Sequence, residues 1–147
     1  MNISILGSGG MEHTFCWKLS QSPKCNNLYV SPGNAGTAAI ATNRGIPVLD
    51  FKSIKVAVIK NNIQMVIVGP EAPLVEGIKE FFQSDSQLSK VSLIGPNSEA
   101  AKLEGSKSFA KKFMNKYKIP TAKYSEFTSS SLSQALSRIH NSEPTSR

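Results

Sequence analysis

Short apolar runs alternate with segments of helical periodicity over residues 1–101. Four runs rich in β-branched side chains predict buried strands at residues 2–6, 28–30, 65–68 and 91–94. Because these runs are apolar on both faces, they favour a parallel sheet that is covered on both sides. Residues 46–48, between Gly45 and Asp50, are a candidate for one further short strand.

Helical periodicity separates the predicted strands. Residues 12–20, 54–60 and 74–82 are predicted helices, and the last carries Leu74, Ile78, Phe81 and Phe82 on one side. Strands that alternate with helices in this way are typical of a doubly wound α/β fold. The sequence therefore predicts a Rossmann-like domain with a doubly wound parallel sheet over residues 1–101.

The pattern changes from residue 102 onward. A helix is predicted at 106–117, where aromatic residues recur at helical spacing, and another at 132–139. The second helix has an apolar stripe formed by Leu132, Ala135, Leu136 and Ile139. Because no apolar strand follows, residues 102–147 are interpreted as the incomplete, helical beginning of a second domain. The uncovered stripe also makes self-association through this region a hypothesis.

Composition narrows the class of protein. The chain has 147 residues, of which 39% are hydrophobic and 18% are charged, values typical of a globular protein. No apolar run approaches the roughly 20 residues that a membrane helix needs, and the opening run has no basic flank. We therefore expect no membrane association and a cytoplasmic location. The two cysteines, Cys16 and Cys25, are expected to be reduced thiols.

The net charge of +7 is concentrated in one part of the chain. Residues 1–101 hold 8 Lys and Arg against 7 Asp and Glu, whereas residues 102–147 hold 9 against 3. The basic part lacks the interleaved aromatic and arginine residues that stack on bases. Nucleic acid is therefore not expected as a partner, and such binding would have to weaken steeply with salt.

Each predicted strand is followed directly by a turn of small residues, at 7–10, 31–34, 69–72 and 95–98. In a parallel sheet these turns share the carboxyl edge, where open α/β sheets bind ligands. The first turn leads into a helix, so its free N–H groups and the helix dipole favour a phosphate. The alternative is that its glycines only permit a tight turn.

A dinucleotide is not expected in the first turn. The G-x-G pattern that begins at Gly7 has Glu12 in place of the third glycine, and Ser31 and Pro32 end the second strand where an acidic residue is required. Residues 105–108 are also a poor phosphate-binding loop, because no glycine directly precedes Lys107.

The second and third turns offer further candidates. Asn34, Gly36 and Thr37 belong to a turn that suits a sugar phosphate, although such a turn also caps a helix. Glu71 follows a strand and precedes Pro73, so it suits ribose hydroxyls or an amine, but also a helix N-terminus. A histidine beside a glycine turn, such as His13, is more often structural than catalytic. The sequence contains no catalytic triad and no metal-ligand pattern.

Five segments together resemble one family. They read ILGSGGMEHT, SPGNAGTA, VIVGPEAPLVEGI, IGPNSEAAKLEGSKSFAKKFM and YKIPTAKYSEF, and span residues 5 to about 133. In order and spacing they are similar to phosphoribosylamine–glycine ligases of the ATP-grasp superfamily. The resemblance implies an ATP-dependent and Mg²⁺-dependent ligase of purine biosynthesis, which joins glycine to phosphoribosylamine through a glycyl phosphate.

The resemblance also implies roles for particular residues. One group would face the substrate phosphate and ribose: Gly9, Gly10, Met11, Asn34, Ala35, Gly36 and Thr37. Glu71 would hold the sugar hydroxyls or the amine, with Pro73 and Leu74 forming the wall. Lys107 resembles the lysine that reaches the ATP phosphates at the start of the ATP-grasp region.

Two departures limit these expectations. Met11 stands where the family usually has arginine, and the chain ends at Arg147 where the family continues into its nucleotide-binding sheet. We therefore expect a fragment that is inactive alone, has no metal ligands and binds neither ATP nor Mg²⁺ tightly. The alternative function is a noncatalytic module that binds sugar phosphates or has a regulatory role.

Overall fold

A computed structural model describes the backbone of residues 1–141 and the side chains of residues 1–137. Five parallel strands form one sheet in the order β3-β2-β1-β4-β5. The strands are β1 (Asn2–Gly7), β2 (Asn27–Pro32), β3 (Thr42–Asn43), β4 (Ile63–Val68) and β5 (Ser92–Ile94). The predicted parallel α/β sheet is confirmed.

The predicted short strand at residues 46–48 is wrong. The edge strand β3 lies earlier, where Thr42 and Asn43 pair with β2. Beyond this pairing the chain leaves the sheet, and Ile46 and Val48 pack against the hydrophobic core without a strand partner. Their alternating apolar positions therefore reflect contact with the core on one side and not sheet pairing.

Six helices connect or follow the strands: α1 (Gly10–Ser20), α2 (Ala35–Ala38), α3 (Phe51–Lys60), α4 (Glu71–Val75), α5 (Ile78–Ser84) and α6 (Ser98–Gly105). The single helix predicted at residues 74–82 is two helices. Gly77 separates them with a φ of +85°, a left-handed conformation that glycine adopts without steric cost. Helix α4 also begins earlier than predicted, at Glu71.

The sheet separates two hydrophobic clusters. Successive residues of β1 alternate between them, since Ile3 and Ile5 belong to one cluster and Leu6 to the other. The cluster on the Leu6 side includes Ile54 of α3 and Phe82 of α5. This double coverage explains why the central strands are apolar on both faces.

The chain divides into a unit of Met1–Ser106 and a second unit that begins at Lys107. The sequence places a boundary after residue 101, but α6 packs against α4 and α5 and so belongs to the first unit. The second unit contains α7 (Lys107–Lys116), a 3₁₀ turn (Ser129–Ser131) and α8 (Leu132–Asn141). The side chain of Ile139, part of the predicted stripe, lies outside the described residues.

None of the helices in residues 1–141 is long and apolar enough to cross a membrane.

Candidate ligand-binding site

Three turns lie side by side at the carboxyl edge of the sheet. The strand order reverses between β1 and β4, and open α/β sheets bind ligands at this point. Backbone pairing continues beyond the strands, since Gly69 N donates to Leu6 O at 3.0 Å and Gly33 N donates to Gly7 O at 3.1 Å. We call the space bounded by residues 7–11, 31–37 and 69–74 the crevice.

The first turn exposes backbone donors to the crevice. Gly9 is extended and precedes α1, which begins at Gly10. The N–H groups of Gly10 and Met11 lie in the first helical turn, where no helical carbonyl can accept them. Gly10 is exposed, Met11 is 51% exposed, and a Cβ built at Gly10 would meet no heavy atom within 4 Å. The turn therefore has both donors and space for an anion.

Glu12 lies beneath this turn and is only 4% exposed. Its Oε2 accepts a hydrogen bond from Gly9 N at 2.6 Å. A Cβ built at Gly7 would lie 2.6 Å from Glu12 Cδ, and one built at Gly69 would overlap Glu12 Oε1. Glu12 therefore fills the space between the carboxyl ends of β1 and β4.

Cys16 lies one helical turn beyond Glu12 and is fully buried. Burial, followed by the nearby charge of Glu12, raises the pKa of the Cys16 thiol to about 11. The thiol therefore stays protonated at neutral pH, so Cys16 is a packing residue and not a nucleophile.

The side chains of the second turn bind the protein itself. Asn34 caps α2 by accepting from Thr37 N at 2.9 Å, and its Nδ2 donates to Ser8 O at 2.8 Å and to Gly9 O at 3.2 Å. Thr37 is fully buried, and its hydroxyl accepts from Asn34 N at 2.8 Å. These contacts hold the second turn against the first. Thr37 therefore has no side-chain surface available to a ligand.

His13 connects the same two turns from the exposed side. A Cβ built at Gly36 would lie 2.8 Å from Cε1 of the His13 ring, so the ring rests directly on the Gly36 backbone. His13 itself is exposed. The structure thus places this histidine at the edge of the crevice, although its sequence context favours an ordinary structural residue.

The third turn contributes one exposed carboxylate. Glu71 is exposed at the first position of α4. Pro73 and Leu74 are buried, and Leu74 packs so closely that a Cβ at Gly95 would lie 2.6 Å from its Cδ2. Pro73 and Leu74 therefore support the turn from within the core and do not form an exposed wall.

The crevice brings together the predicted residues of the first unit, but Lys107 belongs to the second unit. Lys107 is exposed at the first position of α7. Within the described part of the chain, no three His, Cys, Asp or Glu side chains are grouped so that they could hold a metal ion. Sequence reasoning missed Glu12 as a member of the site. The available signal was a carboxylate at the third-glycine position together with a glycine after β4.

The fold is an open α/β domain whose first turn lies at the switch point of a parallel sheet. A family model described as "Phosphoribosylglycinamide synthetase, N domain" matches residues 1–104. The chain belongs to this family.

Individual members of this family are also similar to the chain in sequence. The chain is 45% identical over 130 residues to a phosphoribosylamine–glycine ligase of Pseudomonas syringae pv. tomato, covering 87% of this chain and 29% of that protein. Identity to the Pseudomonas aeruginosa enzyme is 44% over 142 residues, covering 95% and 32%.

A solved structure is also similar. It is a phosphoribosylamine–glycine ligase from Thermotoga maritima, with a TM-score of 0.61 and 30% identity, covering 94% of this chain and 30% of that one. The chain therefore spans about 30% of the length of these relatives.

Proposed function

We propose that this chain is the substrate-binding part of a phosphoribosylamine–glycine ligase and that the crevice binds the sugar phosphate of phosphoribosylamine. The observation that carries the proposal is the first turn, where the N–H groups of Gly10 and Met11 adjoin open space. Backbone donors at the start of a helix bind phosphate groups well. The relatives' names support the same ligand class.

The proposed roles follow the geometry of the three turns. The phosphate binds to the N–H groups of Gly10 and Met11, and the backbone of Ala35 and Gly36 lies beside the ribose. Glu71, an exposed carboxylate, accepts hydrogen bonds from the ribose hydroxyls or the amine. The remaining residues predicted at the site hold these groups in place: Gly9, Asn34, Thr37, Pro73 and Leu74.

The whole ligase would use ATP to activate the carboxylate of glycine for attack by the sugar amine. We propose that Lys107, exposed at the start of α7, contributes a positive charge toward the ATP phosphates, as a lysine does when it binds phosphate as a point charge. This assigns the beginning of an ATP-grasp region to residues from 107 onward. The described residues do not provide a metal centre, so no role at Mg²⁺ is assigned to them.

Titration calorimetry with glycinamide ribonucleotide tests the proposal. Gly10→Asp places a carboxylate where the phosphate would bind, and it should fold because a Cβ there meets nothing and an acidic residue suits a helix start. Gly45→Asp is the matched control, because a Cβ at Gly45 also meets nothing and this glycine follows the edge strand β3.

We expect the parent chain and Gly45→Asp to bind equally, and Gly10→Asp to bind at least about tenfold more weakly through charge repulsion. NAD, titrated in parallel, should not bind. A folded parent chain that fails to bind the ribonucleotide, or a Gly10→Asp chain that binds as the parent does, would contradict the proposed site.

A further inference from the structure

Glu12 is a buried carboxylate for which the proposed function has no binding role. Its two oxygen atoms have different environments, because Oε2 accepts the Gly9 N–H at 2.6 Å while Oε1 lies against Gly69. A carboxylate that is only 4% exposed is costly to bury unless its surroundings compensate the charge. The N-terminal end of α1, where Glu12 lies, provides such compensation.

The two contacts of Glu12 connect the turns on either side of the switch point. Gly9 belongs to the turn after β1, and Gly69 follows β4. Gly69 leaves the space that the carboxylate occupies, since a Cβ there would overlap Oε1. Together Glu12 and Gly69 therefore set both the shape of the first turn and its spacing from the third.

The contact with Gly9 also determines which donors remain for a ligand. Because Glu12 already accepts the Gly9 N–H, that amide is not available to an incoming phosphate, and the exposed amides that follow it are those of Gly10 and Met11. The carboxylate would also repel an anion that approached Gly9 itself. The position of the anion is thus restricted to the start of α1.

We propose that Glu12 is a positioning residue of the crevice, which fixes the first turn so that the Gly10 and Met11 N–H groups face the ligand. This inference rests on the proposed function. Its structural requirement is that residue 69 has no side chain. A residue that only stabilised the fold would affect unfolding and leave the ligand affinity of the folded chain unchanged.

The first test compares Glu12→Ala with Glu12→Gln in calorimetry with glycinamide ribonucleotide. The glutamine oxygen can still accept the Gly9 N–H, whereas alanine removes the acceptor. We expect Glu12→Ala to weaken binding about tenfold or more in samples shown to be folded, and Glu12→Gln to restore most of the affinity. Equal affinity of the parent and Glu12→Ala would overturn the proposal.

The second test asks whether Glu12 acts only by filling the space that Gly69 leaves open. Gly69→Ala should destabilise the chain because its methyl group overlaps the carboxylate, and Glu12→Ala combined with Gly69→Ala should recover stability. We expect the double variant to keep the weak binding of Glu12→Ala. Recovery of both stability and affinity would show that Glu12 only fills space, and would overturn the proposal.

A readout without ligand separates this inference from the proposed function. Amide hydrogen exchange of Gly9, measured by NMR, should accelerate about tenfold or more in Glu12→Ala, and the Gly10 and Met11 resonances should shift. If the parent chain does not bind the ribonucleotide, the proposed function fails while this measurement still tests Glu12. Unchanged exchange and unshifted resonances in Glu12→Ala would overturn the positioning role.

Discussion

The crevice has two regions that use polar groups in opposite ways. The floor consists of side chains that bind other parts of the protein: Glu12, Asn34 and Thr37. The rim consists of exposed groups that have no hydrogen-bond partner among the described residues: the N–H groups of Gly10 and Met11 and the carboxylate of Glu71. The two regions lie close together in the chain, since Glu12 of the floor directly follows Met11 of the rim.

The difference shows that a polar side chain at the crevice can be committed to the protein itself and so have no group free for a ligand. Removing one partner of a buried hydrogen bond leaves the other unsatisfied, which costs roughly 1–3 kcal/mol of stability. An exposed polar group has water as an alternative partner, so its removal changes stability little. Substitutions in the floor should therefore reduce the free energy of unfolding, and substitutions in the rim should change affinity alone.

The largest effect is expected from Thr37→Val, which keeps the side-chain shape and removes the hydroxyl. Asn34 N and Asn43 Oδ1 each lie 2.8 Å from that hydroxyl and would be left unpaired. We expect the free energy of unfolding to fall by about 2–4 kcal/mol in urea titrations. Thr42→Val, at an exposed position of β3, is the control and should change it by less than about 0.5 kcal/mol. Equal stability of the two variants would contradict a distinct floor.

Glu71→Gln tests the opposite region. If both oxygen atoms of the Glu71 carboxylate accept hydrogen bonds from the ligand, glutamine keeps only one acceptor oxygen and no charge, so binding of glycinamide ribonucleotide should weaken by about 10-fold to 100-fold. Stability should stay within about 0.5 kcal/mol of the parent, because Glu71 is exposed. Glu76→Gln, also exposed and at the end of α4, should leave both quantities unchanged. A large loss of stability in Glu71→Gln would show that Glu71 makes structural contacts and belongs to the floor and not to the rim.

The sheet could be predicted from sequence because its central strands are buried on both faces. Residues 65–68 of β4 form a continuous apolar run because each face has its own cluster, with Val66 and Val68 in one and Met65 and Ile67 packed against the other. The edge strand β3 gave no such signal, since Thr42 and Asn43 are polar and their pairing with β2 is short. The break at Gly77 was missed because the apolar spacing continues across it.

The grouping of the three turns at one edge followed from the parallel sheet, but the contacts of their side chains did not. Parallel strands place their following turns on one edge, which made the three turns predictable. Whether a polar side chain faces the protein or solvent depends on contacts between distant residues, such as Glu12 with Gly69 and Asn34 with Ser8. Nothing in the local sequence distinguishes buried Thr37 from exposed Ala35.

Met11→Arg sharpens the comparison by adding a ligand-binding group to the rim. Met11 is 51% exposed in the first turn of α1, so an arginine there can reach an anion without displacing core residues. We expect affinity for glycinamide ribonucleotide to rise about tenfold at low salt and by less at high salt. Met11→Gln controls for the added polar length and should stay near the parent. Calorimetry that showed no gain for Met11→Arg would place the phosphate away from this turn.

The smallest effect on stability is expected from Glu80, an exposed glutamate whose carboxylate accepts a backbone N–H, as Glu12 of the floor does. Glu80 accepts from Ser98 N at 2.9 Å and from Ser98 Oγ at 3.0 Å at the start of α6, much as Glu12 accepts from Gly9. The Ser98 N–H is the main cause that lowers the pKa of Glu80. Because its pKa is lower in the folded state, the charged group stabilises the fold above its unfolded pKa.

This stabilisation is lost as pH falls through the folded pKa of Glu80. Glu80→Gln should therefore reduce the free energy of unfolding by less than about 1 kcal/mol at neutral pH, since the group is exposed. The difference in stability between the two chains should disappear well below the folded pKa, where the protonated glutamate of the parent is neutral, as glutamine is. Urea titrations of both chains across this pH range measure it. A difference that persisted unchanged in acid would show that Glu80 acts through packing and not through its charge. Exposure of a side chain would then not be enough to distinguish a surface contact from a contact of the floor.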